Sequence, residues 1–190
     1  MNRQMKKPEE SKLKELNKAV DIIKKGGVII FPTDTVYGIG CKWNNNAAIA
    51  RIKNIKSSNQ NFPVLIENIK QAHEIGKISP QALHLMNRYW PGGLTILVKS
   101  RHSDEKIGIR MPASDTVKYL VENSRFPIIG TSANFHSQKS PTKSTEIDPA
   151  LKKLVDYTIE GECEKGQEST IIDTTVSPIK IIRQGVVSIS

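Results

Sequence analysis

Cysteine is nearly missing from this 190-residue chain. Cys41 and Cys163 lie far apart, and neither belongs to a CxxC or has an HxxxH nearby. A disulfide framework and a zinc finger are therefore excluded, and a reducing compartment is expected. Apolar runs approaching the ~18 residues of a membrane span are also missing, so no membrane partner is expected. Aromatic residues make up 5% of the chain, too few for a platform on which successive bases of a single strand stack. Acid is the scarcer charge. Lys and Arg number 28 against 19 Asp and Glu, a formal charge of +9. That points to a polyanionic partner such as nucleic acid, nucleotide or polyphosphate, with solvated helix faces absorbing part of the lysine. Residues 1–7 are basic but lead into Pro8-Glu9-Glu10, not into an apolar stretch. They do not read as a signal peptide, and the protein is expected in the cytoplasm.

What is present alternates between helix, buried strand and polar loop. Leu13, Leu16, Val20 and Ile23 recur at three- and four-residue spacing and predict a helix over 9–25, ended by Gly26-Gly27. Val28-Ile29-Ile30-Phe31 is a continuous apolar run, the mark of a strand buried on both faces, and it breaks at Pro32 into Thr33-Asp34-Thr35. Asn46 is expected to cap a second helix carrying Ile49, Ile52 and Ile55; a polar stretch 56–61 leads to a strand over 64–66. A short helix over 69–75 follows, then one begun by Ser79-Pro80 and running to about residue 89. Trp90-Pro91-Gly92-Gly93 reads as a turn before strands over 94–99 and 107–111. Ser114 opens another helix, and the strand 127–130 runs straight into Thr131-Ser132-Ala133-Asn134. Residues 135–146, rich in Ser, Thr, Lys and Pro and without a period, predict an exposed loop. Strands near 157–159, 170–173 and 179–182 close the chain. With no repeat and no linker, one α/β domain spanning 1–190 is expected, a twisted mixed sheet with flanking helices.

The usual phosphate-binding signatures are missing. There is no GxxxxGK[ST], and Gly38-Ile39-Gly40 lacks the third glycine of GxGxxG and leads to Cys41-Lys42 instead of a helix. The polar segments at strand ends remain: 32–40, 56–63, 110–112, 131–134 with Ser140, and Ser169-Thr170 with Arg183. Hydroxyls, an amide and fixed cations there suit carboxylate and phosphate oxygens, because ligands of open α/β sheets lie beyond the strands' carboxyl ends. Each segment also has a plainer reading: Thr33-Asp34-Thr35 as an Asx turn, Arg110 and Arg183 as cations paired with an acid, Trp90-Pro91-Gly92-Gly93 as packing. The four histidines have no Ser or Cys at catalytic spacing, which disfavours a Ser-His-Asp hydrolase.

In their order, these segments resemble a known family. Residues 28–41 (VIIFPTDTVYGIGC), Ile55-Lys56, Trp90-Pro91-Gly92-Gly93-Leu94-Thr95, Ile109-Arg110-Met111-Pro112, Thr131-Ser132-Ala133-Asn134, Ser140-Pro141-Thr142, Ser169-Thr170-Ile171-Ile172-Asp173 and Ile182-Arg183-Gln184-Gly185 are similar to the YrdC-like threonylcarbamoyl-AMP synthases in their short, single-domain form. The likeness covers about residues 12–188. It implies a YrdC-like mixed sheet enclosing a basic cavity. It also implies a nucleotidyltransferase that makes threonylcarbamoyl-AMP and pyrophosphate from L-threonine, bicarbonate and ATP. Partner proteins would then move the threonylcarbamoyl group onto the tRNA adenosine beside the anticodon. By residue, it implies that Thr35, Arg110 and Ser169 meet threonine, that Lys56, Ser132, Asn134, Ser140 and Arg183 meet the nucleotide, and that Lys56 and Arg110 serve catalysis. No tightly bound cofactor and no metal-ligating residue is implied; Mg2+ would accompany ATP. The family's Lys-x-Arg-Pro reads Lys56-Ser57-Ser58-Asn59 here, and its Asn-Pro-Leu reads Phe62-Pro63-Val64. A His often found just beyond corresponds to Glu67, which would set an acid near threonine's carboxylate. Charge alone supports an alternative, a non-catalytic module that binds structured RNA through its backbone on a basic concave surface.

Overall fold

A computed structural model describes residues 9–189; the basic stretch 1–7 lies outside the described residues. The elements run α1 (Glu10–Lys24), β1 (Ile29–Phe31), β2 (Gly38–Gly40), α2 (Asn46–Lys56), β3 (Val64–Leu65), α3 (Ile69–Ile75), β4 (Gly76–Lys77), α4 (Pro80–Tyr89), β5 (Leu94–Ser100), β6 (Lys106–Arg110), α5 (Asp115–Ser124), β7 (Ile128–Ile129), β8 (Thr131–Ser132), α6 (Pro149–Lys152), β9 (Tyr157–Thr158), β10 (Thr170–Asp173) and β11 (Lys180–Arg183). The side chains of Asn45, Asn68, Ser79 and Ser114 accept from backbone N–H groups of the first turns; for α2 the cap is Asn45 and not the expected Asn46, which is already the first helical residue.

Pairing is mixed, as the sequence predicts, but it is divided between two sheets. One has the order β8-β2-β1-β9; the other runs β11-β10-β5-β6-β3-β7, with β4 on β5. The pairs β1/β9, β10/β5 and β3/β6 are parallel and the others antiparallel. The sheets meet where the Ile129 N–H donates to the Cys41 carbonyl, 2.9 Å, and the chain crosses from β7 to β8 through Gly130. Strand β1 is buried on both faces. Ile29 and Phe31 pack with Leu16, Val20 and Ile23 of α1 and Val117, Leu120 and Val121 of α5, while Val28 and Ile30 face the larger core with Ile39, Ile52 and Ile96.

Three short strands went unread in the sequence: β2, β4 and β8. The Gly38-Ile39-Gly40 segment, there a loop, is a strand antiparallel to β1. Its glycines allow close approach: a Cβ on Gly40 would lie 2.0 Å from the Ile129 carbonyl oxygen. Residues 135–146 also hold more structure than their composition suggests. Pro141 is buried and its carbonyl accepts from the Tyr37 N–H, 2.8 Å, the Thr142 carbonyl accepts from Cys163, 2.7 Å, and residues 144–146 form a 3-10 turn. No helix among the described residues is long and apolar enough to cross a membrane.

Candidate functional site

A cavity of about 490 Å³ lies between the two sheets. Strand alternation decides what enters it. On β5, Leu94, Ile96 and Val98 belong to the core, whereas Thr95 and Leu97 line the cavity; on β6, Gly108 and Arg110 do so while Ile109 is core. From the other sheet come Thr33, Thr35 and Gly38, at the β1–β2 connection. Thr35, Lys56, Arg110, Ser132, Asn134, Ser169 and Arg183 therefore line one cavity. Ser140 does not line it, but its hydroxyl donates at 2.7 Å to Glu168, which does.

Arg110, at the carboxyl end of β6, is 6% exposed. Its Nε donates to the Gly92 carbonyl at 3.0 Å, Nη1 to the Thr35 hydroxyl at 3.0 Å, and Nη2 to Asp34 Oδ1 at 2.5 Å. These contacts leave one N–H on each terminal nitrogen, a fork suited to a carboxylate. Asp34 is fully buried as a side chain and takes a second cation, Lys165, at 3.1 Å. Burial draws the Arg110 pKa down and Asp34 opposes it. The turn at Trp90-Pro91-Gly92-Gly93, read in the sequence as packing, thus also orients Arg110 through a carbonyl. It is fixed by the Trp90 indole N–H donating to Leu94 at 2.7 Å.

Lys56 is the last residue of α2 and is buried. The left-handed backbone of Ser57, φ 48°, ends the helix there. The Lys56 ammonium donates to the Ser132 carbonyl at 2.8 Å, the Asn134 carbonyl at 2.5 Å and the Asn134 side-chain oxygen at 2.9 Å. All three of its N–H groups are used on the β8 segment. Desolvation pulls its pKa down to about 8, with Glu168 pulling the other way.

At the opposite wall, the Arg183 Nε and Nη2 both donate to the Ser169 carbonyl, at 3.1 and 2.9 Å, and Nη2 also reaches the Ser169 hydroxyl at 3.2 Å. Nη1 pairs with Glu168. Thr95 and Ser169 hydroxyls stand 3.0 Å apart. Asp34, Thr95 and Glu168 were not singled out by sequence reasoning. Asp34 and Glu168 immediately precede the candidates Thr35 and Ser169, and an acid beside a candidate hydroxyl in a strand-end loop is the signal that could have found them; Thr95 meets Ser169 only through the fold.

Where an Arg was expected, Ser58, Gln60 and Asn61 line the cavity with uncharged groups. Glu67, by contrast, is not among the lining residues. Its backbone N–H donates to Gln71, one carboxylate oxygen accepts from Asn68, and its charged neighbours are Lys118 and Glu122 of α5. The acid expected near threonine's carboxylate therefore does not line the cavity that holds Arg110 and lies instead against α3 and α5. Among the described residues, no three His, Cys, Asp or Glu side chains gather as a metal site.

Residues 21–185 match the Sua5/YciO/YrdC family, whose description reads telomere recombination. A provisionally named threonylcarbamoyl-AMP synthase of Methanocaldococcus jannaschii is 34% identical over 189 residues, spanning 92% of this chain and 89% of that protein. Among solved structures, P. abyssi Sua5 complexed with L-threonine superposes with a TM-score of 0.83 at 30% identity, over 95% of this chain but 56% of its own. E. coli YciO superposes at 0.82 with 29% identity, over 90% and 89%. The chain thus spans little more than half of Sua5 and nearly all of the other two.

Proposed function

Because this chain belongs to the Sua5/YciO/YrdC family, we propose that it is a threonylcarbamoyl-AMP synthase, turning L-threonine, bicarbonate and ATP into threonylcarbamoyl-AMP and pyrophosphate for the modification of tRNA by partner proteins. The observation that supports this reading is the convergence of Thr35, Lys56, Arg110, Ser132, Asn134, Ser169 and Arg183 on one cavity. The reaction needs no protein nucleophile. Threonine's neutral amine captures the carbon of bicarbonate with loss of water, giving a carbamate; a carbamate oxygen then attacks the α-phosphorus in line as the bond to pyrophosphate breaks. Positioning and charge stabilisation are what the protein supplies. The two remaining N–H groups of Arg110 hold threonine's carboxylate, and the Thr35 and Ser169 hydroxyls fix the amine end. Arg183 bears phosphate charge after exchanging Glu168 for a phosphate oxygen. Lys56 shapes the Ser132–Asn134 wall and adds its charge from behind it. Mg2+ would accompany the triphosphate as part of the substrate and neutralise phosphate charge.

Lys56 and Arg110 are buried in the cavity and held by hydrogen bonds to the protein, which favours a small ligand over the RNA-backbone module, which needs exposed cations. The test is pyrophosphate release from ATP with labelled bicarbonate. Release that requires threonine, with label in the adenylate, is expected; equal release without threonine overturns the reading.

A further inference from the structure

A second cavity, of about 510 Å³, lies on the opposite face of the same sheet. Val64 of β3 and Ile107 of β6 line it, whereas their strand neighbours Leu65 and Gly108 line the first. Asn61 and Phe62 form a wall common to both. Ile49 and Ile129 complete an apolar floor. Above it, the rings of Trp43 and His102 meet at 5.6 Å between centroids and 56° between planes, making a corner with two aromatic faces. His102 is held there by the Glu74 carbonyl, 3.0 Å from Nε2.

The polar groups define the ligand. Asn44, Asn46 and Asn61 supply carboxamides, each both donor and acceptor, and Glu105 supplies a carboxylate that accepts from Asn61 at 2.9 Å. The lining cation, Lys106, is paired with Asp173 at 2.7 Å. Phosphate is therefore disfavoured inside, where it would face Glu105 without an uncommitted counter-charge. A flat, uncharged ring with an amino group fits: its faces stack on Trp43, Phe62 or His102, its amino N–H groups reach a carboxylate, and ring nitrogens accept from carboxamides. Outside, Lys53 reaches Asn61 Oδ1 at 3.4 Å, so a positive charge stands at the shared wall, where a phosphate could meet it.

We propose that this second cavity binds an amino-bearing nucleobase such as adenine, presented by a free nucleoside or by an unpaired nucleotide of RNA. The proposal stands on this cavity and does not require the synthase reading.

The test titrates the full chain with adenosine and, separately, uridine, following tryptophan emission and heat. Trp90 is bonded to Leu94 away from this cavity, so a fluorescence change reports on Trp43. Ser103 is exposed at the cavity wall, and Ser103→Phe blocks it without touching the first cavity. Adenosine should quench the emission and bind at least tenfold more weakly to Ser103→Phe, uridine should bind more weakly than adenosine, and pyrophosphate release should be the same in both proteins. Equal adenosine affinity in Ser103→Phe overturns the proposal. An RNA hairpin with one unpaired loop adenosine and its abasic counterpart identify the source. Binding that needs both the loop base and an open Ser103 supports RNA, and binding of adenosine alone supports the free nucleoside. Binding of neither refutes the site. Adenosine binding without threonine-dependent pyrophosphate release would count against the synthase reading only.

Discussion

Lys56, Arg110 and Arg183 carry the positive charge of the first cavity, yet each spends most of its hydrogen bonds on the protein itself. Lys56 and Arg110, held in place, stabilise developing charge without reorganising, which is what an adenylation site requires, whereas Arg183 must first release Glu168. The roles differ by contact. Arg110→Ala should weaken threonine more than ATP, and Lys56→Ala, which releases the Ser132–Asn134 wall, should weaken ATP more. Loss of one charge-assisted contact is worth about 1.5–3 kcal/mol, on the order of ten- to a hundredfold in each affinity by calorimetry; equal losses for both ligands would contradict the assignment. Lys56 also sets a pH dependence. Its amine is protonated below about 8 and neutral above, and the neutral form keeps two donors for three oxygens and gives no charge to the phosphates. ATP affinity should therefore fall as the pH rises through about 8, and the fall should be absent in Lys56→Arg, whose charge persists. Sequence reasoning reached these three cations through the polar segments near strand ends, and their roles through the resemblance of the motif order to the family. It misplaced Glu67, because the direction of a side chain just past a strand end depends on where the chain turns next.

Elements with a long apolar period were legible, and those defined by their partners were not. Helices α1, α4 and α5 each bury a stripe that recurs every three or four residues, so the pattern is complete within the segment. Strands β2 and β8 are three and two residues long; their glycines and hydroxyls look like loop, and only pairing with β1 and with each other makes them strands. Gly40 shows the constraint most directly. Gly40→Ala drives a Cβ into the Ile129 carbonyl, at the junction that joins the two sheets. Overpacking of this kind costs about 1–3 kcal/mol, sometimes more. A lower urea midpoint with an unchanged slope is the expected result, whereas an unchanged midpoint would mean the junction yields freely.

On the scale of the molecule, the first cavity draws its wall from both sheets, with Thr35 on one side and Thr95, Arg110 and Ser169 on the other. A ligand seated there bridges them and binds only the folded chain. Threonine and ATP together, each at about a hundred times its dissociation constant, should raise the melting temperature by several degrees, since occupancy at that level adds ~2.7 kcal/mol per site. Either ligand alone should give less, and no shift with both would mean that the cavity does not hold them. The mixed α/β architecture, the run of helices and the residues of the cavity wall were determined by the sequence itself, because periodicity and caps are local and the motif order is specific. The division into two sheets, the inward turn of Arg110 onto Asp34 and Thr35, the Lys56 anchor on the Ser132–Asn134 segment and the second cavity behind Phe62 were decided by tertiary structure. They depend on which distant segments share a face of a sheet, and burial then forces each charged or polar group to find a partner that its own neighbourhood in the chain does not reveal.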